Sequence, residues 1–391
     1  MNYILLTDYY YPIIKSGSII IDDLANELIE QGNSITIITF VNNQNKSCDV
    51  SVKGKLKIIR IRVKARKYGR VGRLWAEMAY SRRIIRHLKS LKNTQCDAII
   101  CYSPSIFYGQ AVKWLKKNFN SKAYLVIRDI FPRWALEAGL LKKGLLYKYF
   151  KHVERNLYSA CDVIGIESKS DIKYFESYGL NSSIKIEVLN NWGSSLGQID
   201  DCLLDDPLDN QKVNIVFGGN MGEPQDILSL IDLIDNSILG QRAIIWLIGG
   251  GDQFNRIKKI IKKKNLINII LKPTFDRKTF LSFMSKADIG LVSLGIKMSA
   301  NNFPLKALGY MQLSKPILAS VNKDNEIIKI ITNNNIGMVS EASDAKSFNK
   351  NLDFMISNEL LRKKQGTNAF KLFNQEYTSR VAAKKITNHF L

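Results

Sequence analysis

The sequence predicts an α/β protein made of two doubly wound parallel sheets, one in each half of the chain. Short apolar, β-branched runs alternate with longer amphipathic stretches in both halves, which is the pattern of successive strand–helix–strand units. The chain has 391 residues, whereas a single hydrophobic core rarely grows past about 250–300 residues. A polar stretch without periodicity, residues 194–212, separates the halves. We therefore predict Rossmann-like domains at 1–193 and 213–372, joined by a linker and followed by a last helix within 373–391.

The composition argues against several classes of protein. No stretch approaches the roughly 18 apolar residues that a membrane-spanning helix requires. The opening MNYILLTDYY lacks the basic region and cleavage site of a signal peptide, so we expect it to begin a strand. The five cysteines are scattered, which fits a reducing cytoplasm and no structural zinc site. His87, His152 and His389 lie far apart without carboxylates at ligand spacing, so we expect no metal site.

Positive charge is concentrated in the first half. Residues 1–193 hold 31 Lys and Arg against 16 Asp and Glu, and Lys53–Lys92 alone holds 15 basic residues and one acid. Residues 70–91 predict an amphipathic basic helix that carries Trp75, and Lys142–Lys151 is a second basic stretch with aromatic residues. Such surfaces attract anionic lipid or nucleic acid, and the lack of a zinc-finger or RNA-binding signature favours lipid. The alternative is a helix packed on the sheet with a solvated polar face.

The first domain opens with a strand–helix–strand unit. Residues 3–7 predict a buried strand, 19–31 have helical spacing, and 34–40 predict a second, β-branched strand. The loop at 8–18 contains Gly17 alone, where a dinucleotide fingerprint needs three glycines. A dinucleotide site is therefore not predicted here.

Polar residues follow another predicted strand of the first domain. Strands are predicted at 97–102 and 123–127, and the second ends in Arg128 and Asp129. Side chains just past the carboxyl end of a parallel strand lie where open α/β sheets bind ligands, so both are candidate substrate contacts. The alternative for Asp129 is structural, as a helix cap or as the ion-pair partner of Arg128 or Arg133.

The second domain opens with a glycine loop between a strand at 213–217 and a helix at 225–234. The loop reads Gly-Gly-Asn-Met-Gly; glycines let a backbone approach a phosphate, and the following helix N-terminus favours the anion. Further strands are predicted at 243–248, 267–271, 288–294, 317–320 and 336–340. The sequence therefore predicts a second doubly wound sheet with a phosphate-binding loop.

A further phosphate-binding candidate is the stretch NNFPLKALGYMQLSKP at 301–316. Pro304 suits the first helical position of a helix that continues to Leu313, and Lys306 adds a mobile positive charge to its first turn. Free backbone N–H groups and the positive end of the helix dipole would face a diphosphate. The alternative is an ordinary helix that begins at a proline and carries a solvated lysine.

These motifs resemble those of family-4 retaining glycosyltransferases, in the branch that builds bacterial O-antigen and capsular polysaccharides. Pro304, Lys306, Tyr310-Met311 and Lys315-Pro316 are spaced like the signature P-x-K-x-x-E-Y-M-x-x-G-K-P. The loop at 218–225 is similar to the G-N-x-G-x-x-Q loop of that branch.

Two further comparisons with the family concern single positions. The stretch from Arg128 to Pro132 resembles the R-D-x-x-P stretch of the branch. The family's two glutamates fall at Asn301 and Gly309, so both carboxylates are replaced in this sequence. In the family the glutamate that falls at Gly309 binds the ribose hydroxyls of the donor, and Gly309 has no side chain that could do so.

The resemblance implies the GT-B fold, with two Rossmann-like domains facing an interdomain cleft and the last helix crossing back to the first domain. It implies transfer of a hexose or N-acetylaminosugar from a UDP-linked nucleotide sugar to a polyprenyl-diphosphate-linked saccharide, with retained configuration and without a metal or other cofactor. We expect a cytoplasmic enzyme, peripheral on the inner face of the bacterial cytoplasmic membrane. It would bind that anionic surface through Lys53–Lys92 and Lys142–Lys151 and would bind no nucleic acid.

The same resemblance assigns candidate site residues. Asp129 and Lys306 are the catalytic candidates. Sugar or acceptor contacts are expected from Ser16, Arg128 and Asp129. Donor contacts are expected from Gly17, Gly219, Asn220, Gln225, Gly250, Thr274, Phe303, Pro304, Leu305, Lys306 and Gly309. More distant relatives carry Arg and Lys where this sequence has Asn220 and Gln225, which leaves Lys306 as the main cation for the diphosphate.

Three other functions stay open. A non-catalytic or partner-dependent relative fits the replacement of both carboxylates, at Asn301 and Gly309. A sugar-nucleotide epimerase on the same fold would want a histidine and carboxylate cluster, which the sequence lacks. A basic nucleic-acid binder would show a steep dependence of binding on salt.

Overall fold

A computed structural model describes residues 1–13, 15–41, 47–63, 69–91, 94–137, 139–194, 208–209, 211–296 and 303–390, without the side chains of 69–71 and 73. The chain divides into two compact units, one of Met1–Ser194 with Ser379–Leu391 and one of Ser195–Thr378. Most of the predicted linker, residues 195–207 and 210, lies outside the described residues, and so does Asn301, where one family glutamate is replaced.

The first unit contains an eight-stranded sheet in the described residues, with strand order β3-β4-β2-β1-β5-β6-β7-β8. The strands are β1 (Asn2–Leu6), β2 (Ser34–Val41), β3 (Cys48–Lys53), β4 (Leu56–Arg62), β5 (Ala98–Tyr102), β6 (Lys122–Val126), β7 (Val163–Ile166) and β8 (Lys185–Val188). The edge pair β3–β4 is antiparallel, and the other pairs are parallel. The central strands are buried along nearly their whole length, because helices cover both faces of a parallel sheet.

Helices of the first unit depart from the prediction at two places. They are α1 (Ser16–Glu30), α2 (Gly69–Met78), α3 (Tyr80–Ser90), α4 (Gly109–Phe119), α5 (Arg133–Glu137), α6 (Leu145–Tyr158) and α7 (Ile172–Glu176). The first helix begins three residues before the predicted start at Ile19, so Ser16 and Gly17 belong to its first turn. The single basic helix predicted for 70–91 is wrong: α2 and α3 are separate helices that meet at Ala79.

The second unit contains a six-stranded, fully parallel sheet in the described residues, with strand order β11-β10-β9-β12-β13-β14. Its strands are β9 (Val213–Asn220), β10 (Ala243–Gly250), β11 (Ile269–Lys272), β12 (Ile289–Ser293), β13 (Ile317–Val321) and β14 (Gly337–Glu341). Its helices are α8 (Ile227–Leu233), α9 (Asn236–Leu239), α10 (Phe254–Lys263), α11 (Arg277–Lys286), α12 (Leu305–Gln312), α13 (Ile327–Asn333), α14 (Ala345–Ser357) and α15 (Glu359–Glu376). Buried apolar clusters lie on both faces of the sheet, so this unit has its own core.

Two details of the second unit differ from the prediction. The strand β9 continues through Gly218 and Gly219 to Asn220, and α8 begins at Ile227, so the predicted glycine loop is partly strand. Pro304 precedes the helix at the N-cap position, and Leu305 is the first helical residue. The predicted α/β class with two Rossmann-like domains is confirmed.

The end of the chain returns to the first unit. The last helix, α16 (Ser379–Thr387), is separate from α15 and packs on α1. The backbone N–H of Ser379 donates to the Gly193 carbonyl at 2.9 Å, and His389 Nε2 lies 3.1 Å from Glu187 Oε1. These contacts fix the last segment to the sheet of the first unit.

Candidate functional site

Tyr310 fixes the position of α12 on the sheet of the second unit. Its buried hydroxyl accepts a hydrogen bond from the Gly218 N–H at 3.1 Å and donates to the Leu291 carbonyl at 3.2 Å. Burial raises the pKa of Tyr310, so the hydroxyl keeps its proton for that donation. A Cβ on Gly290 would lie 2.2 Å from Tyr310 Cδ2, and the glycine therefore makes room for the ring. These contacts place the start of α12 beside the end of β9.

Lys306 lies one turn before Tyr310 on the same face of α12, because residues four apart share a helix face. Its Nζ is buried, has no hydrogen-bond partner among the described residues, and lies 3.6 Å from the centroid of the Phe217 ring. Burial lowers the pKa of Lys306 to about 7. The alternative of an ordinary helix with a solvated lysine is therefore wrong, because this amine is buried against Phe217 without a counter-charge among the described residues.

Glycines bring the ends of β9 and β10 together. A Cβ on Gly249 would lie 1.8 Å from the Gly219 carbonyl oxygen, so only glycine fits at position 249. A Cβ on Gly219 would lie 3.8 Å from Lys306 Nζ, and one on Gly250 would lie 3.3 Å from Thr274 Oγ1. Lys306, Gly219, Gly250 and Thr274 therefore border one region at the carboxyl ends of β9, β10 and β11, where open sheets of this type bind ligands.

Asn220 and Gln225 stabilise the turn after β9. The Asn220 amide Nδ2 donates to Gln225 Oε1 at 3.1 Å, and the Gly222 N–H donates to the same oxygen at 3.4 Å. Both side chains are thus engaged with each other. Their assignment to donor contacts stays a prediction.

The remaining donor candidates lie at the start of α12. Phe303 is buried and stacks on Tyr377, with ring centroids 5.3 Å apart. Pro304 and Leu305 are partly buried, and the first N–H groups of the helix have no side-chain cap at Pro304. At Gly309 a Cβ would have nothing within 4 Å, so the position of the family's ribose-binding glutamate opens into free space.

In the first unit, Gly17 packs against Tyr102. A Cβ on Gly17 would lie 3.6 Å from Tyr102 Cε1, and Tyr102 is the last residue of β5. Ser16 is exposed in the same helical turn, which begins after Lys15 without a side-chain cap. Burial, chiefly, raises the pKa of Tyr102 to about 12. The first turn of α1 and the end of β5 are therefore adjacent at the carboxyl edge of the sheet.

Arg128 is held in place by backbone carbonyls that follow β8. Its Nη1 donates to the Leu189 carbonyl at 2.7 Å, its Nη2 donates to the Asn190 carbonyl at 3.3 Å, and its guanidinium lies 4.8 Å from the centroid of the Trp192 ring. These contacts give Arg128 a structural task that the sequence did not indicate. Its predicted contact with substrate is not tested by them.

Asp129 is exposed and forms no ion pair or hydrogen bond through its carboxylate with the described residues. Arg133, the alternative partner, instead pairs with Glu137 at 2.8 Å and with Asp171 at 3.2 Å. Partial desolvation raises the pKa of Asp129, and the positive charge of Arg128 partly offsets that rise. The carboxylate is therefore available to a ligand.

Tyr102, Glu167 and Asn191 lie close to Arg128 and Asp129 and are not among the predicted contacts. The Asn191 Nδ2 donates to Glu167 Oε1 at 2.5 Å, while Asn191 Oδ1 is buried without a partner among the described residues. Glu167 follows β7 directly, as Asp129 follows β6 within a few residues. Its position past a strand end was the available signal.

Seven large apolar side chains of the first unit are exposed, and we refer to them together as the apolar patch. They are Trp75, Met78, Trp134, Leu140, Leu145, Leu146 and Tyr149. Leu145 is 86% exposed and Trp75 is 66% exposed. Residues adjacent to them in sequence, such as Leu74, Phe131 and Leu141, pack on one small core around Phe150, so the exposed side chains belong to segments that meet at this core. Lys142, Lys143 and Lys148 are exposed beside it.

The described ranges contain neither a metal-binding cluster nor a membrane-spanning helix. No group of three or more His, Cys, Asp or Glu side chains there is arranged to hold a metal ion. In the same part of the chain, no helix is both long and apolar enough to cross a membrane.

Comparison with known proteins gives a family match in the second half of the chain. Residues 206–372 match the family described as Glycosyl transferases group 1. The chain is 25% identical over 274 residues to a probable glycosyltransferase, WbjE, of Pseudomonas aeruginosa; the match covers 67% of this chain and 64% of that protein. The chain thus spans less than two thirds of the length of this curated relative.

Solved structures share the whole fold at low identity. Sucrose-phosphate synthase of Thermosynechococcus elongatus superimposes with a TM-score of 0.74 at 12% identity, covering 100% of this chain and 98% of that one. An E. coli trehalose-6-phosphate structure bound with UDP-2-fluoro glucose gives 0.70 at 11%, covering 100% and 99%. WaaG, a glycosyltransferase involved in lipopolysaccharide biosynthesis, gives 0.66 at 12%, covering 99% of each chain.

The fold of the protein follows from these findings. The two Rossmann-like units are those of the GT-B fold, which the solved structures share. The family match to residues 206–372 covers the unit that contains Lys306 and the glycine-lined strand ends. The chain therefore has the GT-B fold, and its second unit is similar to the family described as Glycosyl transferases group 1.

Proposed function

We propose that the protein is a retaining, metal-independent glycosyltransferase that moves a hexose or N-acetylaminosugar from a nucleotide sugar to a lipid-linked saccharide. The observation that carries the proposal is Lys306. Its buried Nζ lacks a partner among the described residues and borders Gly219, in the unit that matches the glycosyl transferase family. A diphosphate would supply the missing negative charge.

In the proposed reaction the bond between the sugar C1 and the leaving diphosphate oxygen breaks, and a bond from C1 to the acceptor oxygen forms on the same face. The acceptor proton passes to the leaving diphosphate oxygen, so no protein base is required for it. The protein stabilises the developing negative charge through Lys306 and the first N–H groups of α12. Asp129 would orient the sugar or the acceptor hydroxyl.

UDP is the proposed nucleotide of the donor. The E. coli structure named above binds UDP-2-fluoro glucose, and it shares the fold with this chain. Calorimetric titration with UDP, dTDP and GDP, each with and without a chelator, tests the base and the metal independence together. We expect one diphosphate to bind in the presence of chelator.

Lys306→Ala is the variant that tests the donor site. Losing one such charge-stabilising group costs enzymes about 3–4 kcal/mol, so we expect turnover to fall by on the order of 10²–10³-fold. Lys346→Ala, which removes an exposed lysine of α14, is the matched control and should behave like wild type. Near wild-type binding and turnover in Lys306→Ala would refute the assignment.

The proposed acceptor is a polyprenyl-diphosphate-linked saccharide of O-antigen or capsule synthesis, used at the inner face of the cytoplasmic membrane. The apolar patch of the first unit and the exposed lysines beside it support this, since apolar and aromatic side chains flanked by lysines suit an anionic lipid surface. WaaG, which has the same fold, is involved in lipopolysaccharide biosynthesis.

Vesicle flotation tests the membrane surface. We expect binding to vesicles that contain anionic phospholipid and weak binding to zwitterionic vesicles, because the lysines add electrostatic attraction to apolar insertion. Leu145→Ser combined with Leu146→Ser should weaken binding about tenfold or more, since each leucine buries apolar area in the interface. Ile267→Ser, at an exposed isoleucine of the second unit, is the control. Equal flotation of all variants would refute the proposal that the apolar patch binds the membrane.

A second candidate function is a non-catalytic or partner-dependent GT-B protein. The open space at Gly309 favours it, because no side chain there can hold the ribose of a donor. Donor binding without turnover, with lipid-linked acceptors supplied, would support this candidate over the enzyme.

A further inference from the structure

Lys306 has an unusual seat for a lysine that is proposed to bind a diphosphate. Its Nζ lies over the face of Phe217, and Phe217 is fully buried in β9. Tyr310 anchors the same helix to Gly218, the next residue of that strand. The position of the Lys306 amine is therefore determined by Phe217 and Gly218, two successive residues of β9.

Among the described residues, no charged group compensates the charge of this amine. The strands β9, β12 and β13 contain no Asp, Glu, Lys, Arg or His, and in α12 Lys306 is the one charged residue. The helix α15 also packs on α12, and its charged residues are Glu359, Arg362, Lys363, Lys364, Lys371 and Glu376. No charge among the described residues shifts the pKa of Lys306; burial alone lowers it. The undescribed stretch 297–302 has no acidic residue in its sequence.

An aromatic face attracts an ammonium group but replaces only part of its lost hydration. A buried amine without a carboxylate therefore tends to lose its proton, and the lowered pKa of Lys306, about 7, agrees with this. A diphosphate brought next to the amine would reverse the balance, because an opposite charge within hydrogen-bond distance favours the charged form.

We propose that Phe217 is a positioning residue that holds the Lys306 amine beside Gly219, and that donor binding drives proton uptake by Lys306. The proposal rests on the proposed donor site. The step is balanced: one proton moves from solvent to Nζ, and the amine then donates to a phosphate oxygen. Donor affinity thereby becomes dependent on pH just above neutrality.

Calorimetry with UDP at pH 8.0, in HEPES, Tris and TAPS, measures the number of protons taken up. The terminal phosphate of UDP is ionised at that pH, since the second pKa of such phosphates is roughly 6. A lysine with a pKa near 7 in the free protein should take up about 0.9 proton at pH 8 and about 0.1 at pH 6. The Kd of wild type should rise about tenfold per pH unit above pH 7.5.

Two variants distinguish this linkage from a structural role. Lys306→Arg should bind UDP without proton uptake, because a guanidinium does not lose its proton in this range. Phe217→Leu should lower the pH at which affinity begins to fall by about half to one unit, because the ring no longer favours the ammonium. Phe283→Leu removes an equally buried ring of the same unit and should leave that pH unchanged.

The outcomes separate this inference from the proposed function. Uptake near 0.9 proton that disappears in Lys306→Arg, with a shifted profile in Phe217→Leu, supports it. UDP binding with no proton uptake at pH 8 overturns the inference and leaves the donor site standing. If none of UDP, dTDP and GDP binds, the donor site itself is refuted and the inference falls with it.

Discussion

Replacing Lys306 with methionine should stabilise the second unit near neutral pH and abolish a pH dependence of its stability. Burial lowers the pKa of Lys306 to about 7 from 10.5 in the unfolded chain. Between these values the unfolded chain binds more protons than the folded unit, so wild-type stability rises with pH. The cost of burying the charge is complete below pH 7 and vanishes above the unfolded pKa.

The magnitude follows from the two pKa values. A single group that titrates near 7 when folded and at 10.5 when unfolded changes the free energy of unfolding by about 2 kcal/mol between pH 7 and 9. Lys306→Met has no such group, so the difference between variant and wild type should shrink by about that amount over the same range. Other titrating groups are common to both proteins and cancel.

Hydrogen exchange in a urea series, read in peptides from β9, β10 and β12, reports unfolding of the second unit separately. Lys346→Met, at an exposed lysine, is the control and should track wild type at every pH. A constant difference between Lys306→Met and wild type from pH 7 to 9 would mean that Lys306 is solvated and charged throughout. That result would refute the conclusion that the Lys306 amine is buried against Phe217 with a lowered pKa.

Two other predictions concern single side chains. Tyr310→Phe removes a hydroxyl that satisfies the Gly218 N–H and the Leu291 carbonyl, so the second unit should lose about 1–3 kcal/mol in the same exchange experiment, and an unchanged stability would contradict those hydrogen bonds. Asp129→Asn keeps the shape of the side chain but removes its charge, and we expect turnover to fall by on the order of 10²-fold or more with the Kd for UDP unchanged, since Asp129 belongs to the first unit. Full turnover of that variant would remove Asp129 from the catalytic candidates.

The sequence alone predicted the class of fold, because that depends on local and periodic signals. Short β-branched runs alternating with amphipathic stretches are readable without tertiary contacts, and both parallel sheets follow from them. The first and last residues of the helices were predicted less accurately than the class of fold. The break at Ala79 and the early start of α1 at Ser16 depend on packing that no local signal encodes.

Glycines and residues at strand ends indicated the site in the sequence, but the structure shows roles for them that the sequence did not predict. The sequence predicts that Gly218 and Gly219 belong to a phosphate-binding loop, whereas in the structure they are strand residues beside Tyr310 and Gly249. Arg128 is predicted to contact the substrate, and in the structure it also donates hydrogen bonds to the backbone carbonyls of Leu189 and Asn190, which follow β8. Chain positions far apart in sequence decide both roles.

What the sequence by itself determined is which residues are available: a lysine one turn before a tyrosine, glycines at strand ends, and no carboxylate at Gly309. What only the tertiary structure decided is the state of that lysine. Burial and the ring of Phe217, 89 positions earlier in the chain, set its charge, because desolvation depends on the surrounding atoms and not on neighbours in sequence.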